Sequence, residues 1–344
     1  MIKGHGDDTY LYNRPIAANF SSNVYSHADL SALKAYLKER LDVIGCYPAP
    51  EASHLEALIA EQLHIAPDEV LVTSGATQGI YLLAQAFGGS RSAILQPTFS
   101  EYADACRMHG HQVKSLFLLP GEREDYRLPE DVRMLWLCNP NNPTGQVVPL
   151  ETMRRLLDHN PQVLFVIDQS YEDFTLKYLL TEREVMERGH VLLLHSLTKR
   201  FAVPGLRLGY LTGDAKLLAR VRSHQMPWAV NALALEAGEW LLKRGGCCVP
   251  VSLSAYLNEA ARLRERLQAL GALEVWESDT HFLLVRLRMG KAAALKEWLM
   301  QEKGILIRDA SNFEGLDDSY FRIATQDPEE NDLLVESIAE WLTI

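Results

Sequence analysis

The chain has 344 residues, a length that fits two domains, or one large α/β unit with an appendage, better than a single small core. Apolar residues make up 47% and charged residues 23%, which is ordinary for a packed globular protein and excludes disordered, collagen-like and low-complexity classes. With 34 Lys and Arg against 45 Asp and Glu the net charge is −11, so nucleic acid and anionic membranes are poor main partners because both attract positive surfaces.

Cysteine usage and the N-terminus bear on the compartment. The five cysteines are odd in number and none forms a C-x-x-C pair, so we expect free thiols rather than a disulfide framework or a metal site. The first eight residues lack the apolar core of a signal peptide, and no apolar run approaches the roughly 18 residues that a membrane helix requires. The sequence therefore predicts a cytoplasmic protein with no membrane partner.

Short apolar strands alternate with helices from about residue 70 to residue 200. The strands predicted there are 70–73, 93–95, 135–137, 163–167 and 191–194, and the helices between them include 77–87 and 150–158. Apolar strands separated by helices are typical of parallel strands buried on both faces, so this part of the chain predicts an α/β sheet.

After about Asp214 the pattern becomes more helical. The predicted helices are 215–223, 229–243, 253–270, 292–301 and one that begins at Glu329, and the predicted strands are 273–276, 282–287 and two short ones around Ile305 and Phe321. This mixture indicates a smaller α+β domain.

Polar clusters follow four of the predicted strands, where the ligands of such sheets bind. Small residues at 74–79 open a helix, whose free N–H groups and dipole suit a phosphate. The other clusters are 139–145, 168–171 and 196–199, with Arg207 eight residues beyond Lys199. Each cluster alone is typical of a helix cap, a turn or a solvated surface, but four of them in this order indicate a single site.

Together, N-P-x-N-P-T-G, D-x-x-Y and S-x-x-K followed by arginine resemble the fold-type I pyridoxal-phosphate (PLP) enzymes of the class I and II aminotransferase group, over nearly the whole chain. The resemblance implies a large domain with a mostly parallel seven-stranded sheet, a smaller α+β domain built from both chain ends, and a homodimer with shared active sites. We therefore expect an N-terminal arm and part of the small domain at 1–40, the PLP-binding domain at 41–240 and the small domain at 241–344.

The resemblance assigns roles around the cofactor ring. Lys199 would hold the cofactor aldehyde as a Schiff base and carry protons, and Asp168 would pair with the ring nitrogen and keep it protonated. Asn142 and Tyr171 would hydrogen-bond the phenolic oxygen. Phe99 would stack on the ring, although the same position also suits an ordinary core phenylalanine.

The cofactor phosphate and the substrate receive further residues from the same resemblance. The phosphate would contact the N–H groups of Ala76 and Thr77, the side chains of Ser196 and Arg207, and Tyr47 from the other subunit. The substrate would be bound by Arg322 at its α-carboxylate, with Arg308, His5, Asn23 and Asn142 around it. Arginine suits this position because its guanidinium can donate two parallel hydrogen bonds to one carboxylate.

Two groups within the family look nearest, and both act on phosphorylated amino acids. His5-Gly6, the segment 18–23 and the stretch 225–232 resemble threonine-phosphate decarboxylases, which convert L-threonine O-3-phosphate to (R)-1-amino-2-propanol O-2-phosphate and CO2 in cobalamin synthesis. Tyr171 instead matches the histidinol-phosphate aminotransferases. A third alternative is a catalytically silent PLP-binding protein, against which intact Lys199 and Asp168 argue.

Overall fold

The computed structural model describes residues 6–117, 127–245 and 252–344. Its strands in chain order are β1 (Ala18–Asn19), β2 (Val70–Thr73), β3 (Arg91–Leu95), β4 (Gln112–Leu116), β5 (Met134–Cys138), β6 (Leu164–Asp168), β7 (Val191–His195), β8 (Gly209–Gly213), β9 (Leu273–Val275), β10 (Phe282–Leu287), β11 (Ile305–Leu306), β12 (Arg308–Asp309) and β13 (Tyr320–Ala324). Its helices are α1 (Ser31–Glu39), α2 (Ser53–Leu63), α3 (Gly75–Ala86), α4 (Glu101–Met108), α5 (Leu150–His159), α6 (Glu182–Arg188), α7 (Leu197–Arg200), α8 (Ala215–Arg222), α9 (Ala232–Arg244), α10 (Leu253–Ala269), α11 (Ala292–Trp298) and α12 (Pro328–Trp341).

Seven strands form the large sheet in the order β2-β8-β7-β6-β5-β3-β4. Strand β8 runs antiparallel to both of its neighbours, and the other neighbouring pairs are parallel. Every residue of β5 and β7 is buried, which explains why their sequences are apolar throughout. The predicted α/β fold with a mostly parallel seven-stranded sheet is confirmed.

Helices cover both faces of this sheet. Alternate residues of β5 show the arrangement, because Trp136 packs with α3 and α4 while Leu135 and Leu137 pack with α5. The loops that follow β2, β5, β6 and β7 meet at one end of the sheet, where the four polar clusters of the sequence come together.

Strands β4 and β8 were not among the predicted strands, and each departs from the apolar pattern for its own reason. Strand β4 is an edge strand whose residues are only partly buried, so its sequence mixes polar and apolar residues. Strand β8 begins at Gly209, where a Cβ atom would lie 2.6 Å from the main-chain nitrogen of Ala76. Glycine there allows the start of α3 to approach the sheet closely.

A second unit contains the four-stranded antiparallel sheet β12-β13-β10-β9 and, beside it, the parallel pair β1 and β11. Ala18 and Phe20 share a core with residues of β10 and β13, so the chain's beginning completes a unit formed mostly by its end. Leu33 of α1 packs instead in a core beside the large sheet. The domain boundaries at residues 40 and 240 stay predictions.

Within the described ranges, no helix is both long and apolar enough to span a bilayer.

Candidate active site

A cavity of about 320 Å³ lies at the carboxyl ends of β2, β5, β6 and β7. The predicted site residues that line it are Asn23, Ala76, Thr77, Phe99, Asn142, Asp168, Tyr171, Ser196, Lys199, Arg207 and Arg322. Arg308 and Tyr47 are not in its lining, and His5 lies outside the described residues. The structure therefore brings most of the predicted set to one place.

The start of α3 forms one end of the cavity. The Ser74 N–H already donates to Gln78 Oε1 at 2.6 Å, while Ala76 and Thr77 of the first turn face the cavity. Gly75 has a φ of +78°, and a Cβ there would lie 2.6 Å from Arg207 Nη2. A helix N-terminus with an arginine laid across it is suited to a phosphate, because both supply N–H donors and positive charge.

We predict that Gly75→Ala weakens PLP binding by about tenfold or more, because the new methyl displaces the Arg207 guanidinium and strains the left-handed backbone. Fluorescence titration of the apoprotein with PLP measures the effect. Gly110→Ala is the matched control, since Gly110 has a φ of +75° but open space around it. Equal losses of PLP affinity in the two variants would contradict the assigned contact with Arg207.

Asp168 forms the floor of the cavity at the end of β6 and is buried. Its Oδ1 accepts the Ser170 N–H at 2.8 Å, and its Oδ2 accepts the Tyr102 hydroxyl at 2.7 Å. Burial, followed by the charge of Asp168, raises the pKa of Tyr102 well above its usual value, so this phenol stays a donor. Two fixed donors hold the carboxylate in one orientation, as a partner for a ring N–H requires.

Tyr102 was missed from the sequence. It lies three residues after Phe99, in the first turn of α4, and its ring packs edge-on against Phe99 with centroids 5.8 Å apart. The aromatic pair at this spacing was the available signal. It carried no information about contact with Asp168, which is 66 residues away in the chain.

Lys199 lies on α7 with its ammonium 5.8 Å from the centroid of the Tyr171 ring. Burial is the main cause that lowers its pKa to about 8, and the positive charges of Arg322 and Arg207 act in the same direction. A lysine with a pKa near 8 is a better nucleophile at neutral pH than an exposed one, because more of it is unprotonated.

We predict that capture of PLP by the apoprotein accelerates as pH rises and levels off above about 8. The direction follows because only the unprotonated amine attacks an aldehyde, and its fraction grows about tenfold per pH unit below the pKa. Stopped-flow absorbance during reconstitution measures the rate. A rate that still climbs steeply between pH 9 and pH 10, after correction for the titration of free PLP, would contradict the lowered pKa.

Arg322 on β13 closes the side of the cavity opposite the sheet. Its Nη1 donates to Asn142 Oδ1 at 2.6 Å, and its Nη2 donates to the carbonyl oxygen of Ser21 at 2.5 Å. Burial lowers its pKa to about 10, and in the described part of the chain it forms no salt bridge with a carboxylate and its Nε has no hydrogen-bond partner. A buried cation without a counter-ion is suited to bind an anionic ligand.

Arg308 lies beside Arg322, because the two residues are register partners on β12 and β13. It is buried, and its Nη2 donates to Asn312 Oδ1 at 2.7 Å. Gly6 adjoins both arginines, since a Cβ there would lie 3.2 Å from Arg322 Nη2 and 3.7 Å from Arg308 Cδ. Gly6 therefore lies on the arginine side of the cavity.

Two predicted site residues remain: Tyr171, expected at the phenolic oxygen of the cofactor, and Tyr47, expected to reach the site of a second subunit. Asn23 Nδ2 donates to the Tyr171 hydroxyl at 3.2 Å, and Asn142 has its oxygen engaged by Arg322, which leaves its amide nitrogen to donate. Tyr47 is 86% exposed and packs against Trp228 with ring centroids 5.3 Å apart. Its contribution across a subunit interface stays a prediction.

These residues match PLP group by group: a cationic cradle for the phosphate, a fixed carboxylate for the ring nitrogen and a buried lysine of low pKa for the aldehyde. They therefore define the site of a PLP-dependent enzyme. Residues 15–338 match the family model described as aminotransferase class I and II, so the chain belongs to that family, whose cofactor is PLP.

Similar proteins include threonine-phosphate decarboxylases and histidinol-phosphate aminotransferases. The chain is 30% identical over 336 residues to the threonine-phosphate decarboxylase of Salmonella typhimurium, which covers 94% of this chain and 91% of that protein. The crystal structure of L-threonine-O-3-phosphate decarboxylase from Porphyromonas gingivalis matches 95% of this chain and all of that one, with 37% identity and a TM-score of 0.90. The histidinol-phosphate aminotransferase of Clostridium acetobutylicum matches 94% of this chain and 98% of that one, with 26% identity and a TM-score of 0.81.

Proposed function

We propose that the protein decarboxylates L-threonine O-3-phosphate to (R)-1-amino-2-propanol O-2-phosphate and CO2, with PLP held by Lys199, Asp168 and Arg207. The observation that carries the proposal is the pair of adjacent buried arginines, Arg308 and Arg322. Relatives named as threonine-phosphate decarboxylases support it at 30% and 37% identity. The proposed place of action is the cytoplasm, which the odd number of cysteines without a C-x-x-C pair favours, and the product would supply cobalamin synthesis.

Two buried arginines side by side repel each other, and burial lowers the pKa of both. An anionic ligand between them offsets this repulsion. The substrate carries two anionic groups, a carboxylate and a phosphate, which matches two guanidinium groups in number and charge. In a chain of net charge −11, such a local cluster is needed to attract a multiply charged anion.

The bond that breaks at the substrate Cα depends on how the substrate is held. PLP, when bound, accepts the electron pair that the broken bond leaves behind. Arg322, Arg308 and Asn23 would hold the carboxylate and phosphate so that the bond from Cα to the carboxylate stands perpendicular to the ring plane. Positioning of this kind is worth roughly 7–11 kcal/mol of barrier. Lys199 would hold the proton that the product's carbon receives.

A homodimer is the proposed assembly, with Tyr47 completing the phosphate site of the partner subunit. Exposed apolar residues support it: Ile44, Tyr47, Met226 and Trp228 are each at least half exposed in the single chain, and the rings of Tyr47 and Trp228 pack together. Arg207 at the phosphate end is also exposed in the single chain, so a second subunit has room to cover it.

The proposal is tested by supplying the PLP-loaded protein with L-threonine O-3-phosphate and measuring CO2 and the amine product. Histidinol phosphate with 2-oxoglutarate is the parallel assay, because Tyr171 and the histidinol-phosphate aminotransferase relatives favour that second candidate. Stoichiometric CO2 without a keto acid supports the decarboxylase. Keto-acid-dependent amino transfer without CO2 would replace it with an aminotransferase, and PLP binding without turnover would indicate a silent PLP protein.

We predict that Arg308→Gln lowers kcat/KM for L-threonine O-3-phosphate by roughly ten- to a hundredfold, the usual worth of a hydrogen bond to a charged group. PLP absorbance should be unchanged, because Arg308 lies outside the cavity that holds the cofactor. Steady-state kinetics measure the loss. Arg286→Gln on β10 is the control and should leave kcat/KM unchanged, because this side chain is 43% exposed and lies beside Glu274 and Asp317. A variant at Arg308 with unaltered kcat/KM would remove this residue from the substrate site.

A further inference from the structure

His195 is the last residue of β7, and its side chain is buried. Its Nδ1 lies 2.8 Å from Glu172 Oε1. On the opposite side of the ring, its Nε2 lies 3.1 Å from the Thr212 hydroxyl oxygen and 3.8 Å from Glu182 Oε1. Carboxylates on both sides of an imidazole favour its charged form, because only that form has an N–H at each nitrogen.

The charges around the ring determine its protonation state. Burial by itself lowers the pKa of His195, but the charge and the hydrogen bond of Glu172, together with the charges of Glu182 and Asp168, raise this pKa above its ordinary value. The neighbouring elements contribute three more titratable groups: Tyr210, Asp173 and Arg200. At neutral pH the imidazole is therefore charged and forms a buried ion pair with Glu172.

This ion pair joins two segments that supply the candidate site. Glu172 directly follows Tyr171 in the turn 171–174 after β6, and His195 lies four residues before Lys199, where β7 leads into α7. The Lys199 ammonium is 5.8 Å from the centroid of the Tyr171 ring. The separation of these two groups therefore depends on how the turn 171–174 is held against the end of β7.

A second ion pair joins the same two segments. Asp173 Oδ1, from the turn 171–174, lies 3.7 Å from Arg200 Nε, and Arg200 directly follows Lys199 on α7. A buried ion pair adds little stability over well-packed apolar residues, because the desolvation of both charges offsets their attraction. Two pairs between the same segments therefore point to fixed geometry, rather than added stability, as their role.

We propose that His195 is a positioning residue whose ion pair with Glu172 fixes the turn 171–174 and so holds the Tyr171 phenol beside Lys199. The inference rests on the proposed PLP site but not on which bond at Cα breaks. Neither His195 nor Glu172 lines the cavity, so both act through the residues that do. The position of the phenol matters because a donor at the phenolic oxygen of PLP changes the pKa of the Schiff-base nitrogen beside it.

The charge on the imidazole is tested by ¹⁵N NMR of histidine-labelled, PLP-loaded protein, with the His195 signals assigned from their absence in His195→Phe. We expect both ring nitrogens to be protonated at neutral pH in wild type and the ring to be uncharged in Glu172→Gln. Glutamine keeps the shape of the side chain, which is 29% exposed, so this variant should fold. An uncharged ring in the wild-type protein would overturn the inference.

The positioning role is tested by a pH titration of the visible absorption of PLP-loaded protein without substrate. Glu172→Gln and His195→Phe should each shift the pH midpoint by up to ~1 unit and lower kcat by about tenfold, as for the loss of one hydrogen bond to a charged group. The double variant should resemble the single ones, because the two residues act as one pair. Additive shifts would show that they act independently and would contradict the proposal.

His111→Phe is the matched control, because His111 is also a buried histidine with both ring nitrogens engaged, by the Ser92 hydroxyl at 2.7 Å and the Ala84 carbonyl oxygen at 2.8 Å. It should leave the midpoint and kcat unchanged, even if its melting temperature falls. An equal shift in His111→Phe would mean that the loss of any buried histidine suffices, which would refute the proposal. Wild-type protein without a visible PLP band would overturn the proposed function as well, whereas a normal band left unmoved by Glu172→Gln and His195→Phe overturns this inference alone.

Discussion

Replacing Lys199 by alanine is expected to abolish the visible absorption band of bound PLP and to lower kcat by at least roughly 10²–10⁴-fold, the usual worth of a positioned proton-transfer group. The loss should exceed that of any other single substitution, because the same amine holds the aldehyde and moves the proton. Absorbance spectra and CO2 release measure the two effects separately.

Lys199→Ala should still bind PLP noncovalently, since Arg207, the start of α3 and Asp168 remain in place. Lys177→Ala is the control: this lysine is exposed, pairs loosely with Asp279 at 3.7 Å and should affect neither measurement. A visible Schiff-base band retained in Lys199→Ala would show that another amine holds the cofactor and would contradict the assignment of the site.

The sequence was most informative where burial determines the residue type. Strands β5, β6 and β7 are largely buried, so their apolar runs identified them, and the polar segments at their carboxyl ends contain Asp168 and Lys199. The helix of small residues after β2 was found in the same way. In each of these cases a short stretch of sequence contains both the apolar strand and the polar residues of the site.

Contacts between distant segments could not be predicted from patterns of this kind. Asn142 and Arg322 are 180 residues apart in the chain. Nothing in the sequence around either residue indicates that the Asn142 amide oxygen accepts a hydrogen bond from the Arg322 guanidinium. The pairing of β1 with β11 and the close approach of Gly6 to both arginines are of the same type. Such contacts depend on how the two sheets pack, which local periodicity does not encode.

Histidines illustrate the same limit. His195 and His281 each come directly before a polar or aromatic segment, and in the sequence both have the character of structural residues. The structure separates them: His195 is paired with Glu172 at 2.8 Å and Thr212 at 3.1 Å, whereas His281 has no partner at either nitrogen among the described residues. Only the environment of the side chain distinguishes a satisfied histidine from an unsatisfied one.

The second large effect is expected for Asp168→Asn, which should lower kcat by roughly 10²–10³-fold, the scale of a lost electrostatic contact to a developing charge. Asparagine keeps the shape of the side chain: its carbonyl oxygen can still accept the Ser170 N–H, and its amide nitrogen can donate to the Tyr102 hydroxyl, so the fold and PLP binding should survive. What is lost is the negative charge that keeps the ring nitrogen protonated. Single-turnover kinetics at saturating PLP separate this effect from weaker cofactor binding.

Tyr102→Phe provides a graded comparison at the same atom. It leaves Asp168 in place but removes the donor at Oδ2, so we expect a loss of about two- to tenfold and a destabilisation of about 1–3 kcal/mol from the unpaired buried oxygen. Tyr81→Phe is its matched control, because the Tyr81 hydroxyl donates to Glu101 Oε2 at the same 2.7 Å away from Asp168.

The relative kcat values of the three variants test whether Asp168 acts through its charge. If Asp168 acts through its charge, Asp168→Asn must be much worse than Tyr102→Phe, and Tyr81→Phe must resemble wild type in kcat. If Asp168 only supports the fold of the cavity, Tyr102→Phe and Asp168→Asn would fall together in kcat and in melting temperature. Equal losses would therefore contradict an electrostatic role for Asp168, even if both variants were inactive.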